Sequence, residues 1–425
     1  MTAFRTMLAA LSLSVLVACG ETPLDVPTGG ESTTPSSQGA EGTSDPHEVL
    51  PWGPTAGELA EAQQLVASWS PEQLAGQVIV GRFYGTDPQE PADLVRDLHL
   101  AGVQITSTSI TDEEQLRAMT TAVAEAHAAD GREFPPVIGV DQEGGVVSHL
   151  SGIATEYPPF ADAGEALVQD RRRGQDVVRG AAFTTGLELR DLGFTWVFAP
   201  VADVTMGAAD PTIGTRSPSD DPHVAAAAVS AAVSGYDAAG IVSTVKHFPG
   251  HGGATSDSHE GLPVLTTGLN DLVNRDIAPF RAAIEAHAPA VMVGHLDVQA
   301  IAPGVPSSLA PDIYAYLRNE LGFEGVAITD SLGMGAVVAT RKPALAAINA
   351  GADLLLMPAD TRLAHRTLTQ AIESGEISRE RIEEAASRVV AMQLWQERVA
   401  GDVPVPQDVR EQAEAASAAL AEAAG

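Results

Sequence analysis

The chain has 425 residues, 44% of them hydrophobic, enough to bury one large barrel or two smaller domains and too many for a disordered polymer. Its 24 lysines and arginines stand against 56 acidic residues, a formal charge of -32, so a polyphosphate meets repulsion over most of the surface and nucleic acid is excluded as a partner. Lys246 and Lys342 are the only lysines, every other cation being arginine, which draws attention to both positions.

In chain order, residues 1–19 read as an export signal. Arg5 precedes an apolar stretch through Leu11, Leu13, Val15, Leu16 and Val17 that is too short for an ordinary membrane span. It ends in Leu16-Val17-Ala18-Cys19-Gly20, which resembles the bacterial lipobox and implies a lipid on Cys19, the chain's one cysteine. The plainer alternative for Cys19 is a buried thiol in an ordinary helix, and with one cysteine no disulfide forms within the chain. Residues 20–54 contain runs such as Thr33-Thr34-Pro35-Ser36-Ser37-Gln38-Gly39, too polar to order themselves, and are expected to form a disordered tether. The lipid would hold the protein on the outer face of the cytoplasmic membrane.

From residue 55 to about 400, amphipathic helical stretches alternate with short, nearly continuous apolar runs, the pattern of buried parallel strands joined by crossover helices. The candidate strands are 78–83, 102–106, 137–141, 194–201, 242–246, 290–296, 325–329 and 352–357. Eight such runs fit an α/β fold of the (β/α)8, TIM-barrel type in a single catalytic domain, with a doubly wound open sheet as the rival. The barrel is favoured because Asp141, Asp203, Lys246, His247, His295 and Asp330 all fall at or just past strand C-terminal ends, which converge on one mouth. Helices are expected to stop at Gly193 and Gly240. Residues 401–425, with Pro404, Pro406 and an Ala/Glu-rich run, read as an appended helix or a tail.

The densest polar cluster runs from Lys246-His247-Phe248-Pro249-Gly250-His251-Gly252-Gly253 to Asp257-Ser258-His259. Its proline and glycines forbid a regular helix and imply a loop leaving the fifth strand. A zinc site could draw on His247 and His251, but helical i, i+4 ligation fails across Pro249 and Gly250, and neither HExxH nor CxxC occurs, so no metal is expected. A serine hydrolase would need a nucleophile elbow, and there is no GxSxG. What remains is a histidine beside a carboxylate, suited to general acid/base work near neutral pH, with no cofactor.

The run KHFPGHG, the Asp-Ser-His whose histidine lies thirteen positions after Lys246, and ITDSLGM at 328–334 together resemble family 3 glycoside hydrolases of the β-N-acetylglucosaminidase branch over about residues 60–395. The resemblance implies that Asp330 is the nucleophile of a double displacement and His259 the acid and base, with Asp257 orienting and charging the imidazole. It assigns Asp141, Arg216, Lys246 and His247 to sugar hydroxyls. His149 and Val146 stand where the family commonly carries arginines, which weakens one expected sugar or acyl contact while leaving His149 as a substrate-binding candidate, and Ser331 stands where many members carry a second aspartate. Plainer readings exist for some of these: Asp330 as a helix cap, Asp141 as a turn residue, Arg216 as a salt-bridge partner. Asp203 and His295 read as supports behind the reacting groups, Glu143 as a structural acceptor, and His251 as loop packing.

The expected function is release, with retention, of terminal β-linked N-acetylglucosamine from cell-wall fragments or related glycans, by a monomer whose partners are a glycan or muropeptide and a membrane. A β-glucosidase of the same family is a near alternative, against which the Asp-Ser-His loop argues, and a β-N-acetylglucosaminide phosphorylase is another, since a neutral imidazole repels an incoming phosphate less than a carboxylate does. A noncatalytic sugar-binding lipoprotein is the alternative of another class.

Overall fold

The computed structural model describes residues 45–425, apart from residues 208, 209, 211 and 255. The expected signal peptide, Cys19 and most of the expected tether lie outside the described residues. A strand forms in each of the eight apolar runs, the fifth extending two residues past its run: β1 (Ile79–Gly81), β2 (Gly102–Gln104), β3 (Val137–Val140), β4 (Trp196–Val197), β5 (Val242–Phe248), β6 (Ala290–Val293), β7 (Val326–Thr329) and β8 (Leu355–Leu356). They pair in the order β7-β6-β5-β4-β3-β2-β1-β8, all parallel. A bridge between Ile328 and Leu354 joins the two ends of that order and closes the barrel. The open-sheet alternative is thereby removed.

The strands are buried on both faces, as β5 is along all seven residues, because side chains fill the inside while helices cover the outside. Gly139 on β3 shows how tightly the inside is filled: a Cβ there would lie 2.6 Å from the Phe198 ring. At the closing seam Asp353 is fully buried and accepts from the Ala327 amide at 3.0 Å, from Arg318, and from Arg381 and Arg388 at 3.2 and 3.3 Å. Burial works to raise this carboxyl, but the three guanidiniums outweigh it and hold it below the usual range.

Among the outer helices are α1 (Ala161–Gln169), α2 (Arg171–Asp191), α3 (Pro222–Ala239), α4 (Arg379–Asp402) and α5 (Val409–Ala424). The stops at Gly193 and Gly240 fall as expected, both glycines having positive φ (89° and 71°). Helix α5 buries Leu420 and Ala423, and its Ser417 and Glu422 bond the Glu156 carbonyl and Arg173, each at 2.8 Å. The packed unit begins ahead of residue 55: Trp52 is 3% exposed, and Val49 bridges Thr55. Among the described residues no helix is long and apolar enough to cross a membrane.

Candidate active site

Strand β5 delivers Lys246, His247 and Phe248 to the barrel mouth, and the chain then turns at Pro249-Gly250. Gly250 has φ +123°, and a Cβ there would collide with Asp276 at 2.6 Å, so glycine is required. The turn is organised by one fully buried carboxylate, Asp203, just past β4. Its Oδ1 accepts from the His247 amide at 3.1 Å and the His251 amide at 2.7 Å, and its Oδ2 pairs with His247 Nδ1 at 2.7 Å. Burial pushes this carboxyl up, but His247, His251 and the amide donor more than offset it. The bond at Nδ1 sets the direction of the His247 ring, whose Nε2 then faces Arg216 Nη2 at 3.4 Å. His251 has its Nε2 3.4 Å from Ser258 Oγ, and burial lowers its affinity for a proton, as suits a packing group inside the loop.

Lys246 is only 2% exposed and lies between two carboxylates, Asp141 and Glu143, the latter at 2.6 Å. Glu143 also takes a two-pronged bond from Arg216, Nε at 2.8 Å and Nη2 at 2.9 Å. It reaches them because residues 142–148 form a small hairpin, Gln142–Gly144 against Val147–Ser148, turned by Gly144 and Gly145 with φ of 91° and 57°. Burial opposes the charge on Glu143, yet Lys246 and Arg216 hold its carboxyl down at about 2. Lys246 responds in kind: burial works to lower its value, and the two carboxylates raise it above the ordinary range. Gln104, at the end of β2, donates through Nε2 to Asp141 Oδ2 at 2.5 Å. Beyond the hairpin, His149 accepts from the Ser107 amide at Nδ1, 3.2 Å away.

Asp330 follows β7 directly, and its own amide bonds the Val293 carbonyl on β6 at 2.9 Å. Its Oδ1 accepts from the Ser331 amide at 2.7 Å. Ser331 is itself pinned, its carbonyl accepting from His295 Nε2 at 2.9 Å and its hydroxyl from Arg82 Nη2 at 2.9 Å. The other nitrogen of His295 contacts Ser308 Oγ at 2.7 Å. Burial works to raise the Asp330 carboxyl, but His247, His295, the Ser331 amide and Lys246 outweigh it and keep it in its charged form at neutral pH.

Asp257 and His259 sit on the loop after β5, the carboxylate accepting from the ring Nδ1 at 2.8 Å and from the His259 amide at 2.9 Å. Nε2 is left to hold or give a proton. The His259 side chain is 69% exposed, so this pair meets solvent while the floor does not. Two backbone bonds dock the loop against the segment that follows Asp330: Gly335 and Ala336 amides donate to the carbonyls of His259 (3.3 Å) and Ser258 (3.2 Å).

One pocket of about 500 Å³ at the strand C-terminal ends is lined by Asp141, His149, Arg216, Lys246, His247, Asp257, His259 and Asp330, every site residue expected within the described part of the chain. Glu143 and Asp203 turn out to be the hubs of the two buried networks, where the residue pattern pointed only to supporting parts. Gln104 and Arg82 were missed; each is a polar residue inside an apolar run, with Ile105 after the one and Phe83 after the other, a signal visible in the sequence but shared by many strands. Among the described residues no group of three potential metal ligands comes together.

Residues 60–392 match the glycosyl hydrolase family 3 N-terminal domain. The chain is 32% identical over 401 residues to the beta-hexosaminidase LpqI of Mycobacterium tuberculosis, spanning 91% of this chain and 97% of that one. It is 35% identical over 260 residues to a beta-hexosaminidase of Xylella fastidiosa, 61% and 76% of the two chains. Among solved structures, a glycoside hydrolase family 3 beta-N-acetylglucosaminidase from a Paenibacillus species superposes with a TM-score of 0.75 at 31% identity, covering 82% of this chain and 68% of that one. M. tuberculosis LpqI superposes at 0.69 with 33% identity, over 78% and 96%.

The depressed Glu143 carboxyl makes the floor sensitive to acid. Its folded value of about 2 lies below the ordinary 4.5, so the stabilisation it contributes is complete above 4.5 and is lost as the pH falls toward 2. Urea midpoints measured across that window should fall more steeply for the wild type than for Glu143→Gln, which starts less stable. Parallel slopes for the two proteins would count against the charged network.

Proposed function

Since this chain belongs to glycosyl hydrolase family 3 and is a glycoside hydrolase, we propose that it releases terminal β-linked N-acetylglucosamine from cell-wall fragments or related glycans, with retention at the anomeric carbon. The observation that carries this reading is the gathering of an ionised carboxylate, Asp330, and a carboxylate-paired imidazole, His259, on one pocket. The names of the similar proteins support the sugar and the linkage.

Asp330 attacks the anomeric carbon while His259 Nε2 gives its proton to the departing oxygen. The C–O bond of the substrate breaks and a glycosyl ester forms on Asp330. In the second half, water enters from the vacated side, His259 takes its proton, and the ester bond breaks to return the carboxylate. Two inversions give net retention. Asp257 steers the ring and steadies the imidazolium. Asp141, Lys246, His247 and Arg216 hold the sugar hydroxyls, and His149 borders the site from the Ser107 side.

Cys19, in this reading, carries a lipid that keeps the enzyme at the outer face of the cytoplasmic membrane, with the segment after it as a tether. A single acyl chain binds a membrane only marginally, so more than one chain on the cysteine is required for a stable anchor. Cys19→Ala should release the protein into the soluble fraction of the host; unchanged retention in the membrane fraction would remove the anchor.

Asp330→Asn should keep a melting temperature close to that of the wild type and lose roughly three or more orders of magnitude in turnover of an aryl β-N-acetylglucosaminide. A fluorinated sugar inhibitor should label the wild type on Asp330, and mass spectrometry finding the label elsewhere would move the nucleophile. Product analysis with and without phosphate identifies the acceptor: free N-acetylglucosamine in both is the hydrolase outcome.

His259→Ala should lose most on substrates with basic leaving groups, since protonation helps an alkoxide far more than a nitrophenolate. With activated substrates it should accumulate glycosyl-enzyme, and azide should restore turnover. Equal losses on every leaving group would argue against a general acid at this position.

A further inference from the structure

The loop that carries Asp257 and His259 leaves β5 over three glycines, and each is pressed against a particular neighbour. A Cβ at Gly250 would lie 2.6 Å from Asp276 Cβ, one at Gly252 2.1 Å from the Val204 carbonyl oxygen, and one at Gly253 2.9 Å from Leu265 Cδ1 and 3.5 Å from Arg275 Nη1. The stem of the loop therefore lies against two walls, the segment after Asp203 and the helical turn Leu272–Asp276. Arg275 ties those walls together. Its Nη2 donates to the carbonyls of Val204 at 2.9 Å and Thr205 at 3.1 Å, and its Nη1 to Asp276 Oδ1 at 3.2 Å.

Packing alone does not call for a carboxyl at 276. Asp276 is fully buried, and among the described residues its Oδ2 has no hydrogen-bond partner. Burial pushes the group up to about 7, Arg275 draws it down and Asp203 adds to the rise. An apolar side chain would avoid that cost, and carboxyls kept at such a cost cluster at functional sites. The support extends outward from this pair. Val204 and Thr205 follow Asp203, whose carboxylate accepts from the His251 amide at 2.7 Å. The His251 ring has its Nε2 3.4 Å from Ser258 Oγ, and Ser258 is buried although its neighbour His259 faces solvent. Stem and tip are connected through buried groups, with Arg275 at one end and the residue before His259 at the other.

We propose that Arg275 is a positioning residue for the acid and base: by bracing the carbonyls after Asp203 and the Asp276 carboxyl beneath the glycine stem, it sets where the loop presents His259. The proposal rests on the glycosidase reading above. Arg275 does not line the sugar pocket, and Asp330 is held separately through Ser331, His295 and Arg82. Its loss therefore falls on proton transfer and spares nucleophilic attack. Lysine at 275 keeps a charge for Asp276 but lacks the fork that reaches two carbonyls and a carboxylate together, and methionine gives up both.

The test compares kcat/KM on a phenyl and a dinitrophenyl β-N-acetylglucosaminide for Arg275→Lys and Arg275→Met, each alone and in the His259→Ala background. Arg275→Met should lose roughly 10-fold more on the phenyl substrate, whose leaving group needs the proton, than on the dinitrophenyl one, with Arg275→Lys between it and the wild type. In the His259→Ala background neither substitution should lower the rate further by more than about 2-fold, since the imidazole that Arg275 positions is gone. Melting temperatures establish which variants are intact, and the lysine variant keeps the test available if methionine does not fold. Equal losses on the two substrates, the full loss repeated without His259, or no loss at all would each overturn the proposal, the first two by making Arg275 a structural residue only. A wild type without turnover on either substrate, or a His259→Ala variant that loses equally on both, is a separate result that overturns the reading of the site and this proposal with it.

Discussion

An ammonium ion withdrawn from water has to be neutralised where it stands, and Lys246 is neutralised by Asp141 and Glu143. Much of the mouth is arranged around that requirement. Asp141 lies at the end of β3 and Lys246 on β5, so the pair ties together strands with β4 between them. Glu143 must fold back over a glycine turn to reach the lysine, which creates the hairpin and places His149 on the pocket wall. Glu143 then has charge to share, and Arg216 arrives from the loop after β4 to take it. Removing any one member leaves a buried charge uncompensated, a loss of about 3–5 kcal/mol, so the network specifies a single geometry more than it adds stability.

The groups assigned to the two half-reactions are held in different ways. Asp330 is fixed by the Ser331 amide, and Ser331 by His295 and Arg82, all on or beside barrel strands. Asp257 and His259 ride on an exposed loop tied down by a couple of backbone bonds. A nucleophile has to meet one carbon at one distance, and a rigid strand end suits it. An acid that must serve a departing oxygen and then an arriving water has two positions to satisfy, and a less stable element suits that task.

The barrel was legible because the parallel strands are apolar runs, and because Asp141 follows β3, the Lys246-His247 pair lies near the end of β5 and Asp330 follows β7. The Lys246-to-His259 cluster was legible for a similar reason, its proline and glycines excluding helix and its histidines lying close in sequence. Partnerships across the barrel were not. Glu143 and Arg216 are 73 positions apart and meet only because a hairpin and a loop converge. Gln104 becomes polar machinery only when β3 brings Asp141 alongside. Trp52 gave no local signal of packing either, since the indole of Trp395, against which Gly53 lies, belongs to α4, far along the chain.

Strand β8 lies between β1 and β7, so the last strand made is the one that closes the sheet into a barrel. Until residues 354–356 leave the ribosome, the partly made sheet has two open edges, each a row of unpaired amides and carbonyls able to pair with another chain. The reacting groups by then have all been synthesised, yet Thr329, next to Asp330, still lacks its amide partner, the Leu354 carbonyl. A chain cut short of residue 354 would therefore keep both edges open and leave the Thr329 amide, next to Asp330, without its partner.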